Sequence, residues 1–285
     1  MAISPQAALT CMVAARYLAA GMNSALKTSP RQVFSPVFPT GVPGGAATPT
    51  AASALPAYFQ TLSRTLGPMG WWPARTPFEV IVGAILTQNT AWANVERAIE
   101  NLRRERLMNP GAIERVSSAR LARLVRPSGY FRQKAKKLKA FVHFLRQRYG
   151  GSLARMFRSP TEQLRVQLLA VHGIGPETAD SILLYAGGHP VFVVDAYTHR
   201  ILGRHHLTDG KPDYEAVRSL LESHLPGDAA LYNEFHALLV NVGKNWCRKR
   251  RPRCGECPLL VHLPHDSVLR LTGLTWTPSA SETRA

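Results

Sequence analysis

The sequence predicts an all-α protein. Apolar residues recur at the three- and four-residue spacing of a buried helix face in several segments. These stripes are Phe78, Ile81, Val82, Ile85 and Leu86; Leu138, Phe141, Val142 and Leu145; Ala179, Ile182, Leu183 and Ala186; and Phe235, Leu238, Leu239 and Val242. The apolar run 191–194 could form a strand, but its short length between Pro190 and Asp195 favours an extended, buried connector.

Both ends of the chain lack the residues that build a core. Residues 1–53 are rich in Ala, Pro, Thr, Ser and Gly, and no acidic residue precedes Glu79. We expect a disordered tail there. A start codon placed too far upstream would give the same composition, and the stretch also faintly resembles an organelle transit peptide. Residues 266–285 predict a second loose tail.

The charge balance points to a polyanionic partner. Among 285 residues, 35 Lys and Arg outnumber 18 Asp and Glu, which gives a formal net charge of +17. Such an excess attracts phosphate backbones in a salt-sensitive way, so we expect double-stranded DNA as the partner. No run approaches the roughly 18 apolar residues of a membrane-spanning helix. We expect a monomer in the cytoplasm, associated with the nucleoid and without membrane contact.

A Gly-x-Gly turn joins two short apolar segments between residues 168 and 185. Gly173 and Gly175 can leave backbone N–H groups open at the start of the second helix. A phosphate can approach such a turn closely, and the helix dipole favours its negative charge. We therefore expect the turn to bind the DNA backbone, with His172 and Thr178 as flanking contacts.

Asp195 is the candidate catalytic carboxylate. It ends the apolar run 191–194 and is followed by residues that can begin a helix. Cleavage of an N-glycosidic bond builds positive charge on the sugar, and a shielded carboxylate near C1′ would stabilise that charge. An aspartate at such a junction is also an ordinary helix N-cap, and the two roles are compatible.

Three of the four cysteines lie within eleven residues of a strongly basic segment: Cys247, Cys254 and Cys257. Such clustering suits a metal site in a reducing compartment better than a secreted disulfide framework. The surrounding cations, Lys249 and Arg250 among them, would then face phosphates on a compact loop.

Four motifs follow one another in a distinctive order. They are Leu-Thr-Gln-Asn-Thr at 86–90, the hairpin at 168–186, Val-Asp-Ala-Tyr at 194–197, and the cysteine cluster. Through them, residues 57–260 resemble the helix-hairpin-helix DNA glycosylase superfamily, of the endonuclease III type. The resemblance implies base excision repair, in which a damaged base is flipped out of the duplex into a cleft.

The resemblance also implies a two-domain architecture. A six-helix barrel domain would span residues 77–189 and contain the helix-hairpin-helix at 165–186. A second helical domain would combine both chain ends, residues 54–76 and 190–265, and would carry the cysteine-rich loop. The flipped base would lie in the cleft between the two domains.

A narrower likeness is to the bacterial 3-methyladenine DNA glycosylase III group. Its motifs are Trp-Trp-Pro at 71–73, Phe-Glu-Val at 78–80, Leu-Thr-Gln-Asn-Thr at 86–90, Val-Arg-Pro-Ser-Gly at 125–129 and Gln-Lys-Ala-Lys at 133–136. The likeness implies that Trp72 and Trp92 sandwich the extruded base, which suits a positively charged alkylpurine. Both could instead be ordinary core residues. Gln88 resembles the family's wedge, which fills the gap left in the duplex, and Asn89 would contact DNA beside it.

Glu177 bears on the mechanism. Bifunctional relatives place a lysine two residues after the second hairpin glycine, where its amine forms a Schiff base with the sugar. Because glutamate cannot form that intermediate, we expect a monofunctional glycosylase with Glu177 in the base pocket. Glu177 could also be only a first-turn acid favoured by the helix dipole. The rivals are a bifunctional glycosylase and abasic-site lyase acting on oxidised pyrimidines, and a non-catalytic DNA-binding protein.

The cysteine spacing matches the first three ligands of the endonuclease III iron–sulfur loop. The fourth ligand would fall at Leu263, with His262 and His265 close by. The resemblance implies a 4Fe–4S cluster. Three thiolates with a histidine, a cubane lacking one iron, and a zinc site all remain open, as does loss of the metal.

Overall fold

The computed structural model describes residues 50–210 and 212–264. Most of the tail predicted at 1–53, and the whole of the one predicted at 266–285, lie outside these residues. Within them the chain is all-helical, as predicted, with no strand. The α-helices are α1 (Ala51–Leu66), α2 (Pro77–Leu86), α3 (Trp92–Arg104), α4 (Pro110–Arg115), α5 (Ser118–Leu124), α6 (Phe131–Tyr149), α7 (Leu153–Met156), α8 (Thr161–Leu169), α9 (Pro176–Ser181), α10 (Ala196–Arg204), α11 (Tyr214–His224) and α12 (Ala229–Asn245).

Short helical turns of other types complete the fold. A π-helical turn, Ile182–Ala186, continues α9 directly, and 3-10 turns lie at Arg126–Ser128, Cys254–Glu256 and Leu260–His262. In the part of the chain that the structure covers, no helix has the length and apolar character needed to span a bilayer.

Side-chain caps fix where several helices begin. Thr76 accepts a hydrogen bond from the Glu79 backbone N–H at the start of α2, and Pro77 stands at the first helical position. The N-caps of α10, α11 and α12 are all aspartates. A carboxylate at this position accepts otherwise unpaired N–H groups and is favoured by the helix dipole.

Two hydrophobic cores organise the described residues. Helices α2 to α9 enclose the first, and α1 packs with α10, α11 and α12 around the second. The α9 π-turn touches both, since Ile182 and Leu183 belong to the first core and Leu184 to the second. The turn therefore lies where the two helical groups meet.

The segment 191–194 is the buried connector predicted from the sequence. Its four side chains are at most 1% exposed, and it has no strand partner among the described residues. Two of its backbone N–H groups are bonded to side chains instead: the Phe192 N–H donates to Glu222 at 2.8 Å, and the Val194 N–H donates to the Tyr214 hydroxyl at 3.3 Å. Those bonds fix the position from which Asp195 emerges.

A buried ionic network ties the hairpin to the same connector. The Arg165 guanidinium on α8 donates twice to the Asp180 carboxylate on α9, at 2.7 and 3.1 Å, and once to Glu215 on α11, at 2.6 Å. The Tyr214 hydroxyl donates to Asp180 at 2.8 Å while accepting from the Val194 N–H. The side chain of Asp180 is fully buried, and Arg165 is 8% exposed.

Candidate active site

Asp195 is held by the helix that it caps. Its Oδ1 accepts hydrogen bonds from the backbone N–H groups of Tyr197 (2.9 Å) and Thr198 (2.8 Å), and from the Thr198 hydroxyl (3.0 Å). The side chain is 13% exposed. These bonds hold the carboxylate at the N-terminus of α10, where the helix dipole complements a negative charge, so the N-cap geometry suits a charge-stabilising role.

His236 and Tyr185 lie on the other side of this carboxylate, and the sequence reasoning missed both. His236 Nε2 is 3.7 Å from Asp195 Oδ2, and His236 Nδ1 is 2.6 Å from the Tyr185 hydroxyl. Burial lowers the pKa of His236, against the opposing effect of the Asp195 charge. The available signal was a lone polar residue next to Phe235 in the apolar stripe of α12.

Glu177 interacts electrostatically with Asp195. Although Glu177 is exposed to solvent, desolvation of its carboxyl group by the surrounding protein and, to a lesser extent, the negative charge of Asp195 together raise its pKa to about 7. Glu177 lies in the first turn of α9, directly after the hairpin. The site therefore combines one well-anchored carboxylate with a second carboxyl group whose pKa is raised.

An aromatic cluster lies beside these groups. The centroid of the Trp72 ring is 5.2 Å from the centroid of the Tyr185 ring and 5.2 Å from that of the Trp92 ring. Gly83 on α2 lets the Trp72 ring lie close, because a Cβ at that position would be 3.2 Å from the indole. An open cleft of about 250 Å³ borders the cluster, lined by Trp71, Trp72, Ala74, Arg75, Thr76, Pro77, Val80, Tyr185 and Asn233.

The two tryptophans expected to sandwich a base are not parallel. The interplanar angle between Trp72 and Trp92 is 86°, and the Trp92 indole N–H donates to Glu96 at 2.9 Å. An edge-to-face pair in contact leaves no slot for a flat base. A sandwich between them therefore requires one of the two rings to turn, and the Trp72 and Tyr185 rings meet at a tilt of 40°.

Gln88 is bonded to the hairpin. Its Nε2 donates to the Gly173 carbonyl at 3.1 Å and to the Thr178 hydroxyl at 2.9 Å, and its Oε1 accepts from Lys137. Thr178 is buried, and its hydroxyl accepts this hydrogen bond from Gln88. Asn89 follows with a left-handed backbone, φ +52°.

The loop that carries Gln88 is itself anchored. The buried Lys134 ammonium donates to the carbonyls of Leu86 (2.8 Å) and Ser128 (2.5 Å), and the Thr90 hydroxyl also donates to Ser128 (2.7 Å). Burial and, to a lesser extent, the charge of Lys137 together lower the pKa of Lys134 to about 8. Both ends of the loop 87–91 are therefore fixed by side chains.

The hairpin turn has the predicted geometry. Gly173 has φ +83°, and a Cβ there would lie 2.4 Å from Lys137 Cγ, so only glycine fits without a shift. Gly175 caps α9 with open space where a Cβ would be, and His172 is exposed. The turn leaves room for an approaching phosphate, with Lys137 beside it.

The three cysteines line one apolar cavity. Its lining consists of Ile201, Arg204, His205, Val242, Cys247, Cys254, Cys257, Leu259, Leu260 and Leu263. Arg204 donates to Cys247 Sγ at 3.1 Å and to the carbonyls of Arg248 and Lys249 at 2.8 and 3.3 Å. Desolvation raises the pKa of the Cys254 thiol and raises that of Cys257 to about 12. Lys249 and Arg250 are exposed on the loop above.

Over the described residues, no group of three His, Cys, Asp or Glu side chains is already arranged around a single-ion site. Leu263 occupies the fourth ligand position and lines the cavity. His262 directs Nε2 to the Thr61 hydroxyl at 2.8 Å, and His265 lies outside the described residues.

Comparison with known proteins agrees with this architecture. Residues 82–226 match the HhH-GPD superfamily of base excision DNA repair proteins. The chain is 46% identical over 195 residues to "Putative DNA repair glycosylase MJ1434" of Methanocaldococcus jannaschii, which covers 68% of this chain and 88% of the relative.

Solved structures show the same fold. H. pylori 3-methyladenine DNA glycosylase (MagIII), bound to 1,N6-ethenoadenine, superposes with a TM-score of 0.60 at 30% identity, over 69% of this chain and 98% of that one. A non-covalent endonuclease III–DNA complex superposes with a TM-score of 0.67 at 22% identity, over 79% and 99% of the two chains, and supports the fold alone. The chain therefore belongs to the HhH-GPD superfamily of base excision DNA repair proteins and is a DNA glycosylase.

Proposed function

We propose that the protein is a monofunctional DNA glycosylase that hydrolyses the N-glycosidic bond of an alkylated purine flipped out of duplex DNA. The observation that carries the proposal is the pairing of Asp195 with Glu177. The position that supplies a Schiff-base lysine in bifunctional relatives is here a carboxyl group that interacts with the proposed catalytic carboxylate. A carboxyl group cannot form an imine with the sugar.

The chemistry follows from the charges in the site. As the C1′–N bond breaks, its electron pair leaves with the base and positive charge develops on the deoxyribose. The ionised Asp195 stabilises that charge. A water molecule then adds to C1′ and passes a proton to the carboxylate. Because its pKa is raised to about 7, Glu177 is partly protonated at neutral pH and adds less negative charge beside Asp195 than a fully ionised carboxylate would. The product is an abasic site in an unbroken strand.

The aromatic cluster supports an alkylpurine as substrate. Alkylated purines carry positive ring charge or an enlarged π-surface, and both gain from contact with electron-rich rings. Trp72 and Tyr185 provide such faces next to Asp195, and Trp92 would complete a sandwich on turning. MagIII, at 30% identity, binds 1,N6-ethenoadenine, which makes that base a suitable first probe.

DNA would be held by contacts outside the base pocket. We assign the phosphate contact to the hairpin turn at Gly173 and Gly175, flanked by His172. Gln88 and Asn89 would meet the gap in the duplex, and Lys249 and Arg250 would contact the backbone from the cysteine loop. For this binding mode we propose the domain division given by the resemblance, 77–189 against 54–76 with 190–265.

We expect excision of alkylated purines without strand cleavage. The assay uses duplexes that each carry one lesion, 3-methyladenine, 1,N6-ethenoadenine or an oxidised pyrimidine, with and without later alkaline treatment. Release of an alkylated purine with nicks only after alkali supports the proposal. Nicking without alkali, together with a covalent adduct trapped by borohydride, would establish the bifunctional alternative. Lys244, whose ammonium lies 5.5 Å from the Trp71 ring centroid, is the lysine to replace in that event.

We also propose that Cys247, Cys254 and Cys257 hold an iron–sulfur cluster. They line one cavity together with His205, whose Nδ1 is 2.8 Å from the Tyr58 hydroxyl. When bound, such a cluster cross-links the basic loop and supplies no chemistry at C1′. Arg204 already braces the loop through two carbonyls and one sulfur.

Protein purified without oxygen should contain iron and acid-labile sulfide. Cys254→Ser should lose most of the iron and the sulfide, because only two thiolates would remain to hold the cluster. Cys11→Ser, which replaces the fourth cysteine of the chain, should lose neither. Stoichiometric zinc, or protein free of iron and sulfide, would overturn the assignment. The measurement is elemental and sulfide analysis, so its outcome is independent of glycosylase activity.

A further inference from the structure

His236 lies between the proposed catalytic carboxylate and the aromatic cluster. The residue is 5% exposed, on α12 in the second hydrophobic core. Its Nδ1 contacts the Tyr185 hydroxyl, but its buried Nε2 has no hydrogen-bond partner within the described part of the chain. A buried polar atom without a partner is costly, and the nearest acceptor that the structure gives is Asp195 Oδ2, 3.7 Å away.

The surroundings select one tautomer of His236. Burial lowers its pKa, so the ring is neutral and one nitrogen carries the proton. Burial also raises the pKa of Tyr185 well above its ordinary value, so its hydroxyl keeps a proton to donate. If Tyr185 donates to Nδ1, then Nε2–H faces the Asp195 carboxylate. The opposite tautomer would direct a lone pair at a negative charge.

The two oxygens of Asp195 have different partners. Oδ1 is saturated by two backbone N–H groups and the Thr198 hydroxyl. Oδ2 accepts no hydrogen bond from the residues that the structure describes, and His236 Nε2 on α12 lies 3.7 Å from it. A carboxylate fixed through one oxygen can still rotate the other, and the direction of Oδ2 decides how well its charge faces C1′.

We propose that His236 is a positioning residue for Asp195: its Nε2–H orients Oδ2, and Tyr185 sets the tautomer that makes this possible. The inference rests on the proposed function. It adds a connection between the base pocket and the carboxylate, because the Tyr185 ring also packs on Trp72 at 5.2 Å. A base that stacks on Trp72 is therefore linked, through Tyr185, to the orientation of His236.

Two substitutions separate this role from simple core packing. His236→Phe keeps an aromatic ring of similar size and removes the N–H. His236→Gln is less like the native ring, but its amide N–H reaches about as far as Nε2. A packing role predicts that Phe is tolerated better than Gln, and a positioning role predicts the reverse.

We expect the single-turnover excision rate of His236→Phe to fall by about 10- to 100-fold, the usual loss when an orienting partner is removed. Affinity for uncleaved duplex should stay within about twofold of wild type, since the residue contacts no DNA in this assignment. His236→Gln should recover most of the rate. Tyr185→Phe should show a smaller loss that is not additive with His236→Phe.

A wild-type rate in His236→Phe would overturn the inference, as would a His236→Gln enzyme slower than His236→Phe. If His236→Phe perturbs the circular dichroism spectrum, Tyr185→Phe provides the test. An unchanged excision rate in Tyr185→Phe would contradict the proposed tautomer and overturn the inference. Asp195→Asn is assayed in parallel. If Asp195→Asn is inactive while His236→Phe is fully active, only this inference fails; if Asp195→Asn is fully active, the proposed function fails.

Discussion

Asp195→Asn is expected to lower the single-turnover rate of base excision by at least about 10³-fold, or about 4 kcal/mol of transition-state stabilisation. Asparagine keeps a side-chain oxygen that can accept from the Tyr197 and Thr198 N–H groups, so α10 should begin where it does now. What is lost is the negative charge opposite the developing charge on the sugar. Duplex affinity should be preserved or slightly improved, because one anion is removed.

Asp228→Asn is the matched control. Asp228 caps α12 in the same way, accepting from the Leu231 N–H at 2.8 Å, but its side chain is exposed. This variant should excise at the wild-type rate. An Asp195→Asn protein that folds, binds DNA and still releases the base at a comparable rate would show that the carboxylate has been wrongly assigned.

Asp180→Ala is expected to lower the free energy of unfolding by about 3–5 kcal/mol. The substitution leaves the Arg165 guanidinium buried, with the partly exposed Glu215 as its remaining carboxylate partner. It also removes the acceptor of the Tyr214 hydroxyl, which bonds the Val194 N–H next to Asp195. Loss of stability should therefore be accompanied by a lower excision rate.

Urea denaturation followed by tryptophan fluorescence measures this loss, provided the slope with denaturant is unchanged. Glu105→Ala is the control, because it breaks an ion pair with Arg120 in which both side chains are well exposed. Such pairs contribute about 0–1 kcal/mol. If the free energy of unfolding fell by a similar, small amount in both variants, the buried network would not be the stabilising link between the hairpin and the connector.

Local sequence signals predicted the fold and the proposed catalytic carboxylate. Helical periodicity is a property of neighbouring residues, so the stripe in α2 and the one in α12 could be read directly. Asp195 was identifiable for the same reason, as a capping residue between an apolar run and a helix start. The connector at 191–194 was predicted from its short length and its flanking residues, Pro190 and Asp195.

Contacts between distant segments left no such signal. His236 meets Asp195 across 41 positions of sequence, and Arg165 meets Glu215 across 50. Apart from the place of His236 beside the apolar stripe of α12, no local pattern distinguishes these residues from surface polar groups. The same holds for Trp92, whose type suggested stacking but whose orientation depends on Glu96 and on the Trp72 ring. Pairing of buried polar groups is decided by tertiary packing.

The hydrogen bonds of Gln88 have a consequence for how such a protein would search a genome. Its amide is already satisfied by Gly173, Thr178 and Lys137. In the proposed wedge role, intact base pairs offer the Gln88 amide no better hydrogen-bond partners. The side chain therefore stays bonded to the hairpin while the enzyme slides along DNA. Only a base-pair step whose stacking is already weakened can compensate for the loss of the three hydrogen bonds of Gln88. Lesions would then be recognised first by the weakness of the double helix around them, before any base reaches the pocket.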